Sequence, residues 1–195
     1  MNNFFSIIKK NKLLPVFSLV LFLAISCDND TLPKPKALMR LSYPTTSYIE
    51  TQSDCSYNFE IATIANVSFN QKCWSSITYP KLRATIDITY RKVNNNLKEL
   101  LRESEKLTYN HAIKADGIST KPYVNSKASK YGSLSEVTGN AASPIQFYIT
   151  DSTHHFITGA LYFEVQPNYD SILPALKYIE KDIVHLMETL EWQNN

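Results

Sequence analysis

Residues 151–155 read Asp-Ser-Thr-His-His and supply, within five positions, a carboxylate, hydroxyls and imidazoles. These are the groups that serve as orienting acid, nucleophile and base in hydrolases. Adjacent side chains do not converge on one reacting centre, because catalytic triads bring together residues from separate elements. Asp and Ser also bond readily to their own backbone in tight turns. The run therefore predicts a turn, and we expect no catalytic residue in it.

The histidines and glycines do not form the pattern of a metal or phosphate site. His154 and His155 face opposite sides of an extended chain, while His111 and His185 lie on different predicted helices. The four glycines match neither a phosphate-binding loop nor a dinucleotide-binding motif. We expect a protein that is not an enzyme and that has no metal, cofactor or small-molecule substrate.

The net charge of +2 comes from the start of the chain. Three of the 20 basic residues lie among residues 1–26, which contain no acid, so 17 basic residues face 18 acidic ones in the rest. A basic balance confined to a leader segment does not indicate nucleic-acid binding. We therefore expect no nucleic acid as partner.

The apolar segment 13–25 follows Lys9, Lys10 and Lys12 and is short for a membrane-spanning helix. It is followed by Leu-Ala-Ile-Ser-Cys at 23–27, which resembles the lipobox of bacterial lipoproteins, although Ala24 stands where Leu is commonest. In that class a diacylglycerol is attached to the Cys thiol and the signal is cut in front of it. We predict a signal peptide over 1–26 and lipid, with acyl chains such as palmitate, on Cys27. The alternatives are a plain signal peptide cut near Ser26 and an uncleaved short anchor.

Residues 27–40 are polar and proline-spaced, which predicts an extended tether. The composition of the rest, with 44% hydrophobic and 12% aromatic residues in the whole chain, suits one globular domain over 41–195. With lipid on Cys27, Cys55 and Cys73 remain as a pair in an exported chain, which predicts a disulfide between them. Two buried free thiols are the alternative.

Alternating apolar residues predict strands over 57–61 and 82–90, with a third strand over 74–79. Three more strands over 131–137, 145–150 and 156–165 are separated by short turns, which favours antiparallel pairing. Asp116-Gly117 suggests a turn. The polar residues 118–130 suggest an exposed excursion or an irregular edge strand.

Two helices are predicted. Asn96 caps the first, with Glu99 completing a capping box, and its apolar side has Leu97, Leu100, Leu101, Ser104, Leu107 and His111. Asp170 or Ser171 caps the second, in which Pro174 falls in the first turn, and an apolar stripe follows over 173–190. The order of elements predicts an α+β fold, an antiparallel sheet with two main helices packed against it. This layout loosely resembles the PsbP and Mog1 sandwiches, a likeness of element order that carries no function.

The residues also resemble a family. The lipobox with residues 31–36, and the stretches 79–86, 100–109, 139–151 and 168–172, resemble the GldD gliding-motility lipoproteins of Bacteroidota over essentially the whole mature chain. The departures are the shifted lipobox and residues 121–130. The resemblance implies a place in the envelope machinery that moves adhesins and is linked to type IX secretion. It implies no catalytic residue.

From this resemblance we expect a lipid-anchored envelope protein that supports gliding and the associated secretion machinery through contacts with other proteins of that machinery. We expect it in the outer membrane facing the periplasm. The inner membrane is the alternative, because Asp28 after Cys27 signals retention there in some bacteria. The runner-up function is an envelope carrier or enzyme with a small-molecule groove between sheet and helices.

The loop between the strands 131–137 and 145–150 is our candidate contact region. Its small residues and proline offer a shaped surface that costs little to order on binding. The alternative is that the loop only connects two strands. The candidate residues are Gly139, Asn140, Ala141, Ala142, Ser143 and Pro144.

Overall fold

The structure is a computed structural model that describes residues 43–110, 115–165 and 168–193. The predicted signal peptide, the lipid site Cys27, the tether and His111 lie outside the described residues.

Seven strands form one antiparallel sheet. They are β4 (Asn66–Phe69), β5 (Ser75–Tyr79), β6 (Ala84–Lys92), β7 (Ala115–Asn125), β8 (Lys130–Gly139), β9 (Ile145–Thr150) and β10 (His155–Phe163). Their order across the sheet is β4-β5-β6-β10-β9-β8-β7. Two small antiparallel pairs join β1 (Tyr48–Glu50) to β3 (Glu60–Ala62), and β2 (Tyr57–Asn58) to β11 (Glu191–Trp192).

The helices are α1 (Leu97–Asn110) and α2 (Tyr169–Thr189). The apolar stripe of α2 packs into the main core with one face of the sheet, which includes Ile86 and Ile88 of β6 and Phe147 and Ile149 of β9. The predicted α+β class with an antiparallel sheet and two helices is confirmed. Its likeness to the PsbP and Mog1 sandwiches stays a prediction.

The opposite face of the sheet is only partly apolar. Leu100 of α1 packs there with Val93 and Phe156 in a small separate cluster. Leu100 is the buried residue of α1, and Leu107, predicted to face the core, is 54% exposed. The prediction that this side of the helix is core therefore holds at Leu100 and is wrong at Leu107, because the residues of the sheet beneath the C-terminal half of α1 are mostly polar.

The helix caps differ from those predicted. The Asn96 carbonyl accepts the first helical hydrogen bonds of α1, but its side chain accepts from the Asn94 N–H in place of the Glu99 N–H that a capping box requires. Asn168 caps α2, since its side chain accepts from the Ser171 N–H, so neither Asp170 nor Ser171 is the cap. Pro174 consequently lies in the second turn of α2 and not in the first.

The region after α1 also differs. Asp116 and Gly117 belong to β7, with a register irregularity between Ala115 and Gly117, so the predicted turn was wrong there. The edge-strand alternative for 118–130 holds for residues 118–125, because they belong to β7, which is paired with β8 on one side only and lies at the end of the sheet. Pairing with β8 outweighs the local preference of Asp-Gly for a turn.

Candidate functional site

The Asp151 carboxylate closes the turn between β9 and β10. Its Oδ1 accepts backbone N–H bonds from Thr153, His154 and His155 at 2.9, 2.8 and 2.8 Å. Burial raises the pKa of this carboxyl, but the N–H bonds from His155, His154 and Thr153 outweigh burial and hold the pKa below its usual value. The predicted turn is confirmed, and the Asp151 carboxylate is hydrogen-bonded to the backbone of that turn.

Two of the described histidines, His155 and His185, are hydrogen-bonded to other side chains of the fold. His155 Nδ1 lies 2.9 Å from the Tyr90 hydroxyl, and its ring stacks on Trp192 with centroids 5.0 Å apart. His185 Nε2 lies 2.6 Å from Glu60 Oε2. Burial lowers the pKa of His155, which favours its neutral form. Among residues 43–110, 115–165 and 168–193, no group of three or more His, Cys, Asp or Glu side chains is placed to hold a metal.

Cys55 and Cys73 are joined by a disulfide in the structure, with Cα atoms 5.5 Å apart. Cys55 is part of the main core, and the Tyr57 hydroxyl donates to the Cys73 carbonyl at 2.7 Å. The bond ties the segment before β2 to the segment before β5. The pair thus lies where it can stabilise the fold.

The loop 139–144 presents two side chains to solvent, those of Asn140 and Ala142. Ala141 is 4% and Ser143 0% exposed, and Pro144 is buried as well. The Ser143 hydroxyl donates to the Ile145 carbonyl, and Asn140 Oδ1 accepts from the Tyr169 N–H at 3.3 Å. The loop is thus tied to β9 and to the start of α2, and a partner has Asn140 and Ala142 to contact.

Gly139 ends β8 with a φ of +93°, in the left-handed region that favours glycine. A Cβ atom there would come within 2.7 Å of the Asp116 backbone nitrogen. Only glycine fits this position, which fixes the direction in which the loop leaves the sheet.

A pair of open clefts lies between α1 and the polar face of the sheet. The first, of about 310 Å³, lies between α1 and strands β7, β8 and β9. The second, of about 210 Å³, lies between α1 and strands β6, β9 and β10. Ser104 of α1 and Gln146 of β9 line both, so the helix crosses the sheet above Gln146.

Hydroxyl groups dominate the lining of the first cleft. They come from α1 and from the same face of three neighbouring strands, because side chains two residues apart on a strand share a face. The Thr120 and Ser135 hydroxyls lie 2.9 Å apart across β7 and β8. The hydroxyl-bearing residues are Ser104, Thr108, Tyr109, Thr120, Ser133, Ser135 and Tyr148.

Gln146 forms the floor between the clefts and is 7% exposed. Its Oε1 accepts from the Thr108 hydroxyl at 3.1 Å, while its Nε2 has no partner among the residues that the structure describes. A buried amide N–H without an acceptor costs about 1–3 kcal/mol. Sequence reasoning missed this site, although the polar residues Ser133, Ser135 and Gln146, which share one face of two neighbouring predicted strands, were the available signal.

The comparisons with known proteins point to one family. A family model described as gliding motility lipoprotein GldD matches residues 28–192, and no curated protein matches the chain. Within the described residues, no helix is both long and apolar enough to span a membrane. The family description names a lipoprotein, which implies a lipid-anchored protein of the cell envelope with a role in gliding motility. The match covers most of the sequence, and the chain therefore belongs to the gliding motility lipoprotein GldD family.

Proposed function

We propose that this protein supports gliding motility and the associated type IX secretion machinery through contacts with other proteins of the envelope, and not through catalysis. The observation that carries the proposal is the family match over residues 28–192, which begins directly after the lipobox cysteine. The use of the Asp151 carboxylate as a turn cap supports the non-catalytic part.

The proposal places lipid on Cys27 and the folded residues at the end of the proline-spaced tether. Several acyl chains at about 0.8 kcal/mol per buried methylene make such anchoring effectively permanent. We propose the outer membrane, with the folded part facing the periplasm. The tether then lets the folded part reach machinery components near the membrane surface.

Within this proposal, Asn140 and Ala142 are the contact residues of the loop 139–144. They stand on a loop that is held by the burial of Ala141 and Ser143 and by the hydrogen bonds of Asn140 and Ser143, so little conformational entropy is lost when a partner binds. A rigid, exposed loop of this kind suits protein recognition.

Site-specific photo-crosslinking in cells of the source organism tests the contact. A benzophenone amino acid replaces Ala142 in the full-length chain, and the same replacement at exposed Ala128, in the turn between β7 and β8, is the matched control. We expect adducts with a gliding or secretion component from position 142 and not from position 128. Functional cells that give no adduct from position 142 would contradict the proposed contact.

A second candidate is an envelope carrier or enzyme with a groove between sheet and helices. The first cleft, with its hydroxyl lining and the one-sided bonding of Gln146, favours the binding part of this candidate. The Asp151 carboxylate, bonded to backbone N–H groups of its own turn, does not favour the enzymatic part.

A further inference from the structure

We infer that the first cleft, between α1 and strands β7, β8 and β9, binds a neutral saccharide. The inference goes beyond the proposed protein contacts and does not depend on them. It also revises the expectation that the protein takes no small molecule. The observations behind it are the volume of the cleft, its hydroxyl lining and the incompletely bonded amide of Gln146.

The volume suits a small ligand. At about 310 Å³ the cleft lies at the lower end of the ~300–1,000 Å³ that is typical of ligand sites. Tyr109 stands on α1 at its rim and is exposed, while the Tyr148 ring packs on Phe156 lower down. Aromatic rings present an apolar face, and a sugar ring has apolar C–H faces that pack against such surfaces.

The charge of the lining argues against an anionic ligand. Glu105 is the charged residue of the first cleft, and Asp87 is that of the second. Phosphates and carboxylates are bound by Arg, Lys or helix N-termini, and they accept hydrogen bonds from the N–H groups there. A carboxylate at the rim repels such ligands, whereas it accepts hydrogen bonds from sugar hydroxyls.

The bonding of Gln146 argues for a hydroxyl-bearing ligand. The Thr108 hydroxyl lies 3.1 Å from Gln146 Oε1 and 3.2 Å from the Ser104 carbonyl, yet it has one hydrogen to donate. If the amide is turned, Nε2 donates to Thr108 and Thr108 keeps its bond to Ser104. One atom of the amide stays unpaired in either orientation, a donor in one and an acceptor in the other. A ligand hydroxyl both donates and accepts, so it completes either arrangement.

The strand pairing argues against an extended peptide over the centre of the cleft. β9 lies between β10 and β8, and β8 lies between β9 and β7, so the backbone groups of these two floor strands are already bonded within the sheet. The free backbone groups of β7 lie at the edge of the sheet, in its plane, and do not face α1. Peptides that bind to sheets use the free backbone groups of an edge strand. The cleft floor offers side-chain hydroxyls and an amide in their place.

Nε2 of Gln146 is closed to solvent, so full contact with it requires the cleft to open locally, and α1 is the wall of the cleft that lies outside the sheet. The packing permits such a movement. Leu100, in the first half of α1, is the buried residue of the helix, and Leu107 and Tyr109 in the second half are exposed. Segments with few buried apolar contacts open at low free-energy cost.

Titration of the full-length protein in detergent micelles tests the inference. The probes are maltotriose, cellotriose and triacetylchitotriose, with a Gly-Ser-Gly peptide and inorganic phosphate as comparators, each up to 10 mM, on the order of the weak affinities measurable by NMR. The readout is the side-chain amide signals of protein labelled with ¹⁵N-glutamine. We expect at least one saccharide to shift the Gln146 signal, and neither comparator to do so.

The variants are Gln146→Leu, Tyr148→Phe and the matched control Gln193→Leu, near the end of the described chain. The saccharide affinity, measured by calorimetry, should fall about tenfold or more for Gln146→Leu and severalfold for Tyr148→Phe, as loss of a buried hydrogen bond predicts. It should be unchanged for Gln193→Leu.

Absence of a shift with all three saccharides, or a shift with the peptide or phosphate alone, would overturn the inference. If Gln146→Leu fails to fold, unchanged saccharide affinity in Tyr148→Phe, which keeps the ring and loses only the hydroxyl, would overturn it equally. Neither result bears on the crosslinking experiment at Ala142.

Discussion

Lys130 is 3% exposed, and its ammonium group donates to the carbonyls of Met187, Glu188 and Leu190. The Met187 and Glu188 carbonyls belong to the last turn of α2 and the Leu190 carbonyl directly follows it, where the helix itself offers no N–H partners. A cation there also interacts favourably with the negative end of the helix dipole. One side chain from the start of β8 thus satisfies the end of a helix distant in sequence.

We predict that Lys130→Met lowers the free energy of unfolding by about 2–3 kcal/mol, because Met keeps the apolar stem and leaves buried carbonyls unpaired. Urea unfolding followed by circular dichroism measures the loss. Lys127→Met, at an exposed position in the same hairpin, should be nearly neutral. Equal stability of Lys130→Met and Lys127→Met would contradict this account of the α2 terminus.

Asp182 is a buried carboxyl in the core, and it accepts hydrogen bonds from the Tyr48 and Tyr79 hydroxyls. Burial raises its pKa above the ordinary value of 3.8, although the bonds from Tyr48 and Tyr79 act in the opposite direction. An acid with a raised pKa stabilises the fold most when it is protonated. Its contribution is therefore complete below pH 3.8 and is lost as the pH rises through the pKa in the folded state.

The pH dependence of the Asp151 contribution to stability has the opposite sign, since its pKa in the folded protein is below 3.8. Its contribution is present above pH 3.8 and is lost as the pH falls through the lowered pKa. We predict that Asp182→Asn stabilises the protein increasingly as the pH rises from 4 to 7, relative to wild type, whereas Asp151→Asn destabilises it over that range. Melting temperatures at several pH values check both, and parallel curves for the two variants would refute the assignment.

At the level of the elements, the paired strands β9 and β10 have an aromatic ring, that of Phe147, directly over a glycine, Gly159. Gly159 lies opposite Phe147, and a Cβ atom on Gly159 would come within 2.2 Å of the Phe147 ring. Phe147 is buried in the main core, so the ring has little room to move. The glycine thus leaves the space in which the Phe147 ring lies.

We predict that Gly159→Ala destabilises the protein by about 1–3 kcal/mol, the usual cost of overpacking a core. Gly117→Ala is the control, because a Cβ atom there meets the Thr138 hydroxyl oxygen at 3.3 Å, and we expect an effect of about 0.5 kcal/mol or less. Urea unfolding of the two variants gives the comparison. A neutral Gly159→Ala would show that Phe147 repacks freely.

The Cys55–Cys73 disulfide connects the segments before β2 and β5. We predict that neither thiol reacts with iodoacetamide in natively purified protein without reductant, and that both react after reduction. Intact mass and peptide mapping report the labelling. Stoichiometric labelling of both cysteines without reductant would show that the bond is not formed in the cell.

At the scale of the whole molecule, the sequence predicted the elements that alternation and helical spacing define. The strand over 145–150, most of β6 and the long stripe of α2 follow from their own residues, since burial on one face leaves a periodic pattern. β6 begins at Ala84 and not at the predicted residue 82, because Pro80–Leu82 form a short 3-10 helix. The start of β7 and the cap of α2 could not be predicted in this way. Pairing with β8 decides the first, and the hydrogen bond between Asn168 and Ser171 decides the second.

The site was less predictable than the fold. The turn at 151–155 follows from local chemistry, so it could be foreseen. The cleft depends on α1 crossing the sheet above Gln146, which no spacing within the helix reveals. Likewise, only the packing shows that Ala141 and Ser143 point inward while Asn140 and Ala142 face solvent.

Replacement of Cys27 by Ser is the sharpest test of whether this protein acts in gliding as a lipid-anchored envelope protein. The measurement is the spreading of cells that lack the native gene and express either form of the full-length chain at equal level, with membrane and soluble fractions probed in parallel. We predict that wild-type protein pellets with membranes and restores spreading. The Cys27→Ser protein should be released or left unprocessed and should fail to restore it. A Cys27→Ser protein that is processed, pelleted and supports spreading like wild type would contradict the account.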